Sequence, residues 1–182
     1  MVQKQKRDRS RAAEVRPAEL GDLDRIMEIY QSAQAFMIRR GNPGQWGHFY
    51  PTRALLEQDI RAGCCYVITA PDGVHGVFVL RVVPEPTDAV IEDGAWPNDR
   101  PYLTIHRLAG DGQMHGIFET CVAFCLGLCG NIRVDTHARN LPMRAKIEAR
   151  GFVRCGIIHV ADGTPRIAYQ YDLEQPEAGQ EK

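Results

Sequence analysis

The sequence lacks a membrane-length apolar run, a CxxC pair and an excess of charge of either sign. No segment approaches the roughly 18 consecutive apolar residues of a transmembrane helix, so we expect no membrane partner. The 22 basic and 23 acidic residues give a net charge of −1, which predicts no overall attraction to nucleic acid. The basic cluster in the first dozen residues contains no apolar stretch, which argues against a secretory signal. These absences predict a cytoplasmic protein.

The six cysteines show neither the spacing of a zinc ribbon nor the density of a disulfide-bonded secreted domain. Cys121, Cys125 and Cys129 recur every four residues on one face of a predicted helix, and could in principle present three thiolates to a metal ion. Their apolar neighbours favour buried, reduced thiols instead, because free cysteine is among the most buried residue types. We therefore predict no metal site.

Length and hydrophobic patterning predict one folded domain between two tails. Residues 1–13 and 174–182 are polar and unpatterned, which is typical of solvated, disordered termini, and residues 14–173 alternate apolar segments with turn signals. The predicted order is strand, two helices, hairpin, strand, helix, strand, helix, hairpin. This order indicates an α/β (α+β) fold, with a mixed, mostly antiparallel, twisted sheet of about six or seven strands and helices on both faces.

A glycine-bearing loop, residues 108–118, connects a predicted strand at 101–107 to an apolar helix. Glycine at position 116 allows the backbone to approach a ligand closely, and the helix that follows presents free N–H groups and a positive dipole end. Together these features predict a pyrophosphate site. The loop lacks both a Walker lysine and the three-glycine dinucleotide fingerprint, which favours acyl-CoA over a nucleoside triphosphate or NAD.

The motif Q-x-x-G, from Gln113 to Gly116, is followed by Asn140 and then by Gly151-Phe152 at the end of the next predicted helix. In these features the chain resembles the GCN5-related N-acetyltransferases over about residues 14–173. The resemblance implies a fold of that type and acetyl-CoA as the co-substrate, with no metal. It also implies that backbone groups of the strand before the loop pair with the pantetheine arm, while amides of the loop bind the pyrophosphate. The residues expected to bind acetyl-CoA are Arg107, Leu108, Gln113, Met114, His115, Gly116, Ile117, Phe118 and Asn140.

Two positions depart from the family pattern. Phe118 stands where the family usually has glycine or alanine, and a bulky side chain there is expected to narrow the loop or to change which amides meet the pyrophosphate. Ile147 stands where the family often carries the tyrosine that protonates the leaving thiolate. Binding of acyl-CoA is therefore better supported than a particular catalytic arrangement. The alternative to an enzyme is a catalytically weak acyl-CoA-binding or regulatory module.

Transfer to an amine requires a neutral nucleophile, so a base is expected near the thioester. His106 is the leading candidate because its side chain titrates in the useful range. Tyr102 shares its strand face and occupies the position at which some relatives place a base carboxylate. The alternatives are that His106 is a hydrogen-bonded structural residue, and that His137, at the end of a later strand, takes part instead.

The acceptor site is expected in the loop between the first two helices, where the resemblance places the border of the acceptor pocket. Gln45, Trp46 and Tyr50 are the candidate residues in this loop. Trp46 and Tyr50 would form an aromatic wall for a small-molecule primary amine, the alternative being ordinary packing of this loop on the core. The sequence thus predicts an acetyl-CoA-dependent N-acetyltransferase that works by direct attack. It leaves open the identity of the acceptor and the oligomeric state, a homodimer included.

Overall fold

The computed structural model describes residues 13–47, 49–82 and 84–174, so the predicted tails lie almost wholly outside the described residues. The sheet and its helices follow the predicted order. In chain order the elements are β1 (Glu14–Pro17), α1 (Leu23–Arg39), α2 (Arg53–Arg61), β2 (Cys65–Ala70), β3 (Gly73–Arg81), β4 (Leu103–Gly110), α3 (Ile117–Leu126), β5 (Asn131–Thr136), α4 (Leu141–Ala149), β6 (Val153–His159) and β7 (Pro165–Asp172). No helix within the described ranges has the length and apolar character needed to cross a membrane.

The seven strands form one sheet in the order β1-β2-β3-β4-β5-β7-β6. β4 and β5 run parallel, and the other neighbouring pairs run antiparallel. Apolar residues of α1 and α2 pack on one face of the sheet, and those of α3 together with Ile147 of α4 pack on the other. The predicted fold class, a mixed and mostly antiparallel sheet with helices on both faces, is therefore confirmed.

The helix starts follow capping rules with one exception. The Thr52 hydroxyl accepts a hydrogen bond from the Leu55 N–H at the start of α2, and Asn140 caps α4 in the same way. Asp22 precedes α1, but its carboxylate binds the Arg16 guanidinium and the Glu19 N–H instead of the helix N–H groups. The described part of the connection between β3 and β4 contains a short 3-10 helix, Pro86–Asp88, and an isolated antiparallel bridge between Glu92 and Ile157 of β6.

Two irregularities in β4 open the sheet at its centre. The parallel ladder between β4 and β5 ends at the pair Ile105–Val134. Just beyond it, the register between β3 and β4 shifts because β4 contains one extra residue, and Arg107 in this bulge has φ +52°. The two strands therefore diverge after Ile105, and a cleft begins at this fork.

Candidate active site

A cleft of about 1250 Å³ occupies the fork between β4 and β5. Its walls come from the loop that joins α1 to α2 on one side and from the N-terminal ends of α3 and α4 on the other. Twelve of the predicted site residues line it: Gln45, Trp46, Tyr50, His106, Arg107, Leu108, Met114, His115, Gly116, Ile117, Phe118 and Asn140. Tyr102 and Gln113 lie outside this lining.

The bulge of β4 is held in place from the α1/α2 side of the sheet. The Tyr30 hydroxyl donates a hydrogen bond of 2.7 Å to the carbonyl of Arg107. The Arg107 guanidinium donates to the buried Asp59 carboxylate at 2.7 Å and to the Tyr50 hydroxyl at 2.9 Å. The β4 backbone is thus fixed at the point where its ladder with β5 has ended, and its edge faces the cleft. A free strand edge of this kind can pair with an extended ligand.

The N-terminus of α3 points into the same cleft. Gly116 caps the helix with φ +77°, a conformation that favours glycine. The first-turn N–H groups of the helix have no i−4 carbonyl partners, so they can receive an anion. The helix can approach the sheet closely because Gly76 of β3 has no side chain. A Cβ at this position would lie only 2.9 Å from Cδ1 of Ile117. Glycine on β3 therefore sets how deep this anion site lies.

A buried carboxylate fixes the start of the loop. Asp111, whose side chain is 1% exposed, has Oδ2 2.6 Å from Nη2 of Arg25 and 2.9 Å from Nδ1 of His75. Its Oδ1 accepts a hydrogen bond of 2.8 Å from the Gln113 N–H. The Gln113 backbone therefore helps to fix the conformation of the loop. The residue itself is exposed and does not belong to the described cleft lining.

The two departures from the family pattern are both buried. The Phe118 ring is 1% exposed and packs 6.1 Å from the Phe152 ring, so it does not narrow the loop as expected. The physical reason is its place in the first turn of α3, where the side chain packs in the apolar cluster between helix and sheet. Ile147 is fully buried in the same apolar cluster, and α4 offers no hydroxyl at that position.

His106 lies at the fork beside a carboxylate. Its Nε2 is 3.2 Å from Oε1 of Glu85, in the connection after β3, although the approach angle is not that of a hydrogen bond. The proximity of His106 holds the pKa of the Glu85 carboxyl below its usual value. The Nε2 atom is buried while the side chain as a whole is 24% exposed, so the exposed part of the ring lies away from Glu85.

Asp135 is a second carboxylate at the fork, and no sequence pattern predicted it. Asp135 comes directly after Val134 on β5, and His106 comes directly after Ile105, the partner of Val134 on β4. The two side chains therefore project from the same face of the sheet. Burial raises the pKa of Asp135, and the nearby His106 and Arg166 oppose that rise. Its Oδ1 is 3.9 Å from Nε of Arg166, which also lines the cleft.

Tyr102 has a structural contact in place of a cleft position. Its ring lies 3.7 Å from the Arg133 guanidinium, and the Trp96 ring covers the opposite side of that group at the same distance. Tyr102 does share a strand face with His106, but four residues along a strand span about 13 Å. This position gives no support to a catalytic role for Tyr102.

The loop between α1 and α2 is tied to the opposite wall of the cleft. Gln45 Oε1 accepts hydrogen bonds of 2.9 Å from the side-chain amides of Asn42 and Asn140. The Trp46 ring packs edge-on against Tyr30, with 5.5 Å between the centroids. His137, the second base candidate, lies outside the described lining, and its Nδ1 accepts from the backbone of Arg139.

All six cysteines are unpaired thiols, and Cys121 and Cys125 are fully buried in the apolar core. Within the described ranges, no group of three or more histidine, cysteine, aspartate or glutamate side chains could hold a metal ion. Cys121 and Cys125 therefore contribute to packing, whereas Cys129 lies beyond the end of α3 and is only partly buried.

No protein-family model matches the chain, and no curated protein matches it. Among solved structures, a GNAT-family acetyltransferase from Streptococcus agalactiae is 27% identical, over 90% of this chain and 96% of its own, with a TM-score of 0.81. A putative acetyltransferase from Staphylococcus aureus is 24% identical, over 88% and 99% of the two chains, with a TM-score of 0.63. The ribosomal-protein-S18-alanine N-acetyltransferase from Escherichia coli is 16% identical, over 93% and 98%, with a TM-score of 0.60.

Proposed function

This chain has the fold of the GCN5-related N-acetyltransferases, and on that premise we propose that it is an acyltransferase that uses acetyl-CoA. The observation that carries the proposal is a juxtaposition. One cleft contains two features. The first is the edge of β4 at Arg107 and Leu108, which no longer pairs with β5, and the second is the N-terminus of α3, capped by Gly116. The first suits an extended amide-bearing arm, and the second suits a pyrophosphate. Coenzyme A carries both groups in one molecule.

The acceptor in this proposal is a primary amine of a small molecule. Its ammonium enters from the side of Trp46 and Tyr50 and meets the Asp135 carboxylate, which attracts a cation. The ammonium then gives a proton to His106, and the neutral nitrogen attacks the thioester carbonyl directly. Glu85 beside Nε2 stabilises the imidazolium that forms. The new C–N bond forms and the C–S bond breaks, with the electron pair of the C–S bond going to sulfur. The nitrogen then releases its second proton to water, which leaves the neutral amide.

The test is release of the coenzyme A thiol from acetyl-CoA, measured across polyamines, amino acids, aminoglycosides and peptide N-termini. At least one amine class should support turnover, with the acetylated product identified by mass spectrometry. His106→Ala should lower kcat about 100-fold, the lower range for loss of a general base. Tyr102→Phe is the matched control on the same strand face and should stay within a few-fold. A small effect of His106→Ala would refute the base assignment even if transfer occurs.

A second candidate function is an acyl-CoA-binding or regulatory module without turnover. The observation that favours it is Ile147. This buried residue stands where the family pattern often has a tyrosine, so α4 offers no hydroxyl at that position. Binding of coenzyme A in calorimetry, together with no acetyl transfer to any amine in the panel, would support this module and contradict the enzyme.

A further inference from the structure

The Thr136 hydroxyl is a buried polar group without a described partner. Thr136 ends β5 and is fully buried, and its Oγ1 has no hydrogen-bond partner among the described residues. Buried hydroxyls in native proteins are almost always hydrogen-bonded, because leaving one unpaired destabilises the fold. Thr136 also lines the cleft. A ligand in the cleft is therefore the natural partner for this hydroxyl.

Strand geometry places Thr136 on the coenzyme A side of the fork. Side chains alternate along β5, so Thr136 shares a face with Val134, which packs in the cluster of α3 and α4. Asp135 projects from the opposite face together with His106. Thr136 lies two residues beyond the last ladder pair, level with the bulge at Arg107 across the fork. The acid–base groups and this hydroxyl thus approach the fork from opposite faces.

We propose that the Thr136 hydroxyl donates the hydrogen bond that stabilises the departing coenzyme A thiolate. This inference rests on the proposed acetyltransferase function. As the C–S bond breaks, its electron pair goes to sulfur, and the Thr136 O–H donates to that sulfur without giving up its proton. The first proton of the ammonium goes to His106, the nitrogen loses its second proton to water once the C–N bond has formed, and solvent protonates the thiolate after release. A thiol has a pKa near ~8.5, so a hydrogen bond is sufficient where no tyrosine protonates the leaving group.

The decisive variant is Thr136→Val, which keeps the side-chain shape and removes the hydroxyl. Thr104→Val is its matched control, because Thr104 is also buried on a central strand with an unpartnered Oγ1 and lies outside the described cleft lining. Thr136→Ser restores a hydroxyl and should restore the effect. Circular dichroism and thermal unfolding establish that each variant is folded, and Thr136→Ala replaces Thr136→Val if the latter is not.

The first readout needs no acceptor and no turnover. Coenzyme A is bound by an excess of protein, and the pH of the complex is then raised stepwise. The ultraviolet absorbance of the coenzyme A thiolate reports the pKa of its thiol. Thr136→Val should raise this pKa by about one unit relative to the wild type, since a hydrogen bond to a charged group is worth roughly a factor of ten or more. Thr104→Val should match the wild type, and Thr136→Ser should approach it.

The second readout is kinetic. With the amine identified by the panel above, Thr136→Val should lower kcat about 10- to 100-fold. The KM for acetyl-CoA should change little, and acetyl thioesters of more acidic thiols should be affected less than acetyl-CoA. Equal thiol pKa values in wild type and Thr136→Val, or a raised KM with unchanged kcat, would overturn the inference.

The two proposals fail in different ways. Wild-type protein that binds coenzyme A and transfers acetyl groups, with Thr136→Val unaltered in both readouts, refutes only the role of Thr136. Wild-type protein that does not bind coenzyme A refutes the proposed function, and this inference falls with it.

Discussion

Asp59 of α2 and Arg107 of β4 form a buried ion pair at the edge of the cleft, with 2.7 Å between Oδ2 and Nη2. The side chains are 2% and 12% exposed. The other Asp59 oxygen lies 3.1 Å from Nη2 of Arg81, so one carboxylate balances two guanidinium groups. This arrangement ties the helix α2 to the strand bulge that opens the sheet.

Asp59→Asn should lower the free energy of unfolding by about 3 kcal/mol, because it leaves the buried Arg107 charge without its counter-charge. Urea denaturation measures the change. The control is Asp24→Asn, which removes a carboxylate that is 84% exposed and pairs with Arg53. Exposed pairs contribute under about 1 kcal/mol, so this variant should be close to wild type. Equal effects of the two substitutions would contradict the structural role of the Asp59–Arg107 pair.

Gly116→Ala should weaken binding of coenzyme A at least several-fold, since a Cβ at the helix cap would stand between the amides and the pyrophosphate. It should also cost about 1–2 kcal/mol of stability, because φ is +77° there. Gly63→Ala, just after α2, imposes a similar backbone strain at φ +68°, and neither Gly63 nor its chain neighbours belong to the described lining. Calorimetry with coenzyme A should separate the variants, and similar affinities would place the pyrophosphate elsewhere.

Asp135→Asn should change how stability depends on pH. Burial raises the pKa of Asp135 in the folded protein, so the folded state binds this proton more tightly than the unfolded state. Stability should therefore fall as pH rises from the unfolded value near ~3.9 through the higher folded one. The variant lacks this loss and should gain on wild type as the pH approaches neutrality. Urea unfolding between acidic and neutral pH measures the difference, and a gap that stays constant would contradict the prediction.

The cysteines should divide into two classes toward a thiol reagent. Burial raises the pKa of Cys65 to about 12 and that of Cys155 to about 11, so neither forms a thiolate at pH 8. Cys121 and Cys125 are fully buried. The partly exposed thiols, Cys64 and Cys129, should react in the native protein, with Cys64 slower because its pKa is also raised. All six should react after denaturation. Rapid native reaction of Cys155 would contradict the burial seen at β6.

The anion-binding half of the candidate site could be predicted from sequence because it is local. A strand, a loop with Gly116 and an apolar helix are consecutive in the chain, and each signal depends on neighbouring residues. Asn140 was predictable for a similar reason, since it begins a helix at a spacing typical of the family pattern. The same locality explains the accurate order of strands and helices.

The acid–base half depends on topology, which residue patterns do not encode. Asp135 meets His106 only because β4 and β5 are parallel neighbours whose ladder stops one residue earlier. Glu85 reaches His106 from an irregular connection. The alternation of side chains placed Tyr102 on the same face as His106, but alternation does not show how far from the fork a residue on that face lies. The expectation that Phe118 would narrow the loop was wrong, because the position of the residue within the first turn of α3 directs its ring to the core.

The hydrogen bonds of Gln45 bear on how this protein could be re-engineered. Trp46 and Tyr50 belong to a loop that is separate in sequence from β4 and α3, so exchanging them can alter the choice of amine while the anion-binding loop stays intact. Gln45 and Tyr50 are the exceptions, because Gln45 Oε1 also holds Asn140 at the start of α4 and the Tyr50 hydroxyl accepts from Arg107 at the β4 bulge. Libraries that aim at new acceptors should therefore vary Trp46 first and keep Gln45 and Tyr50.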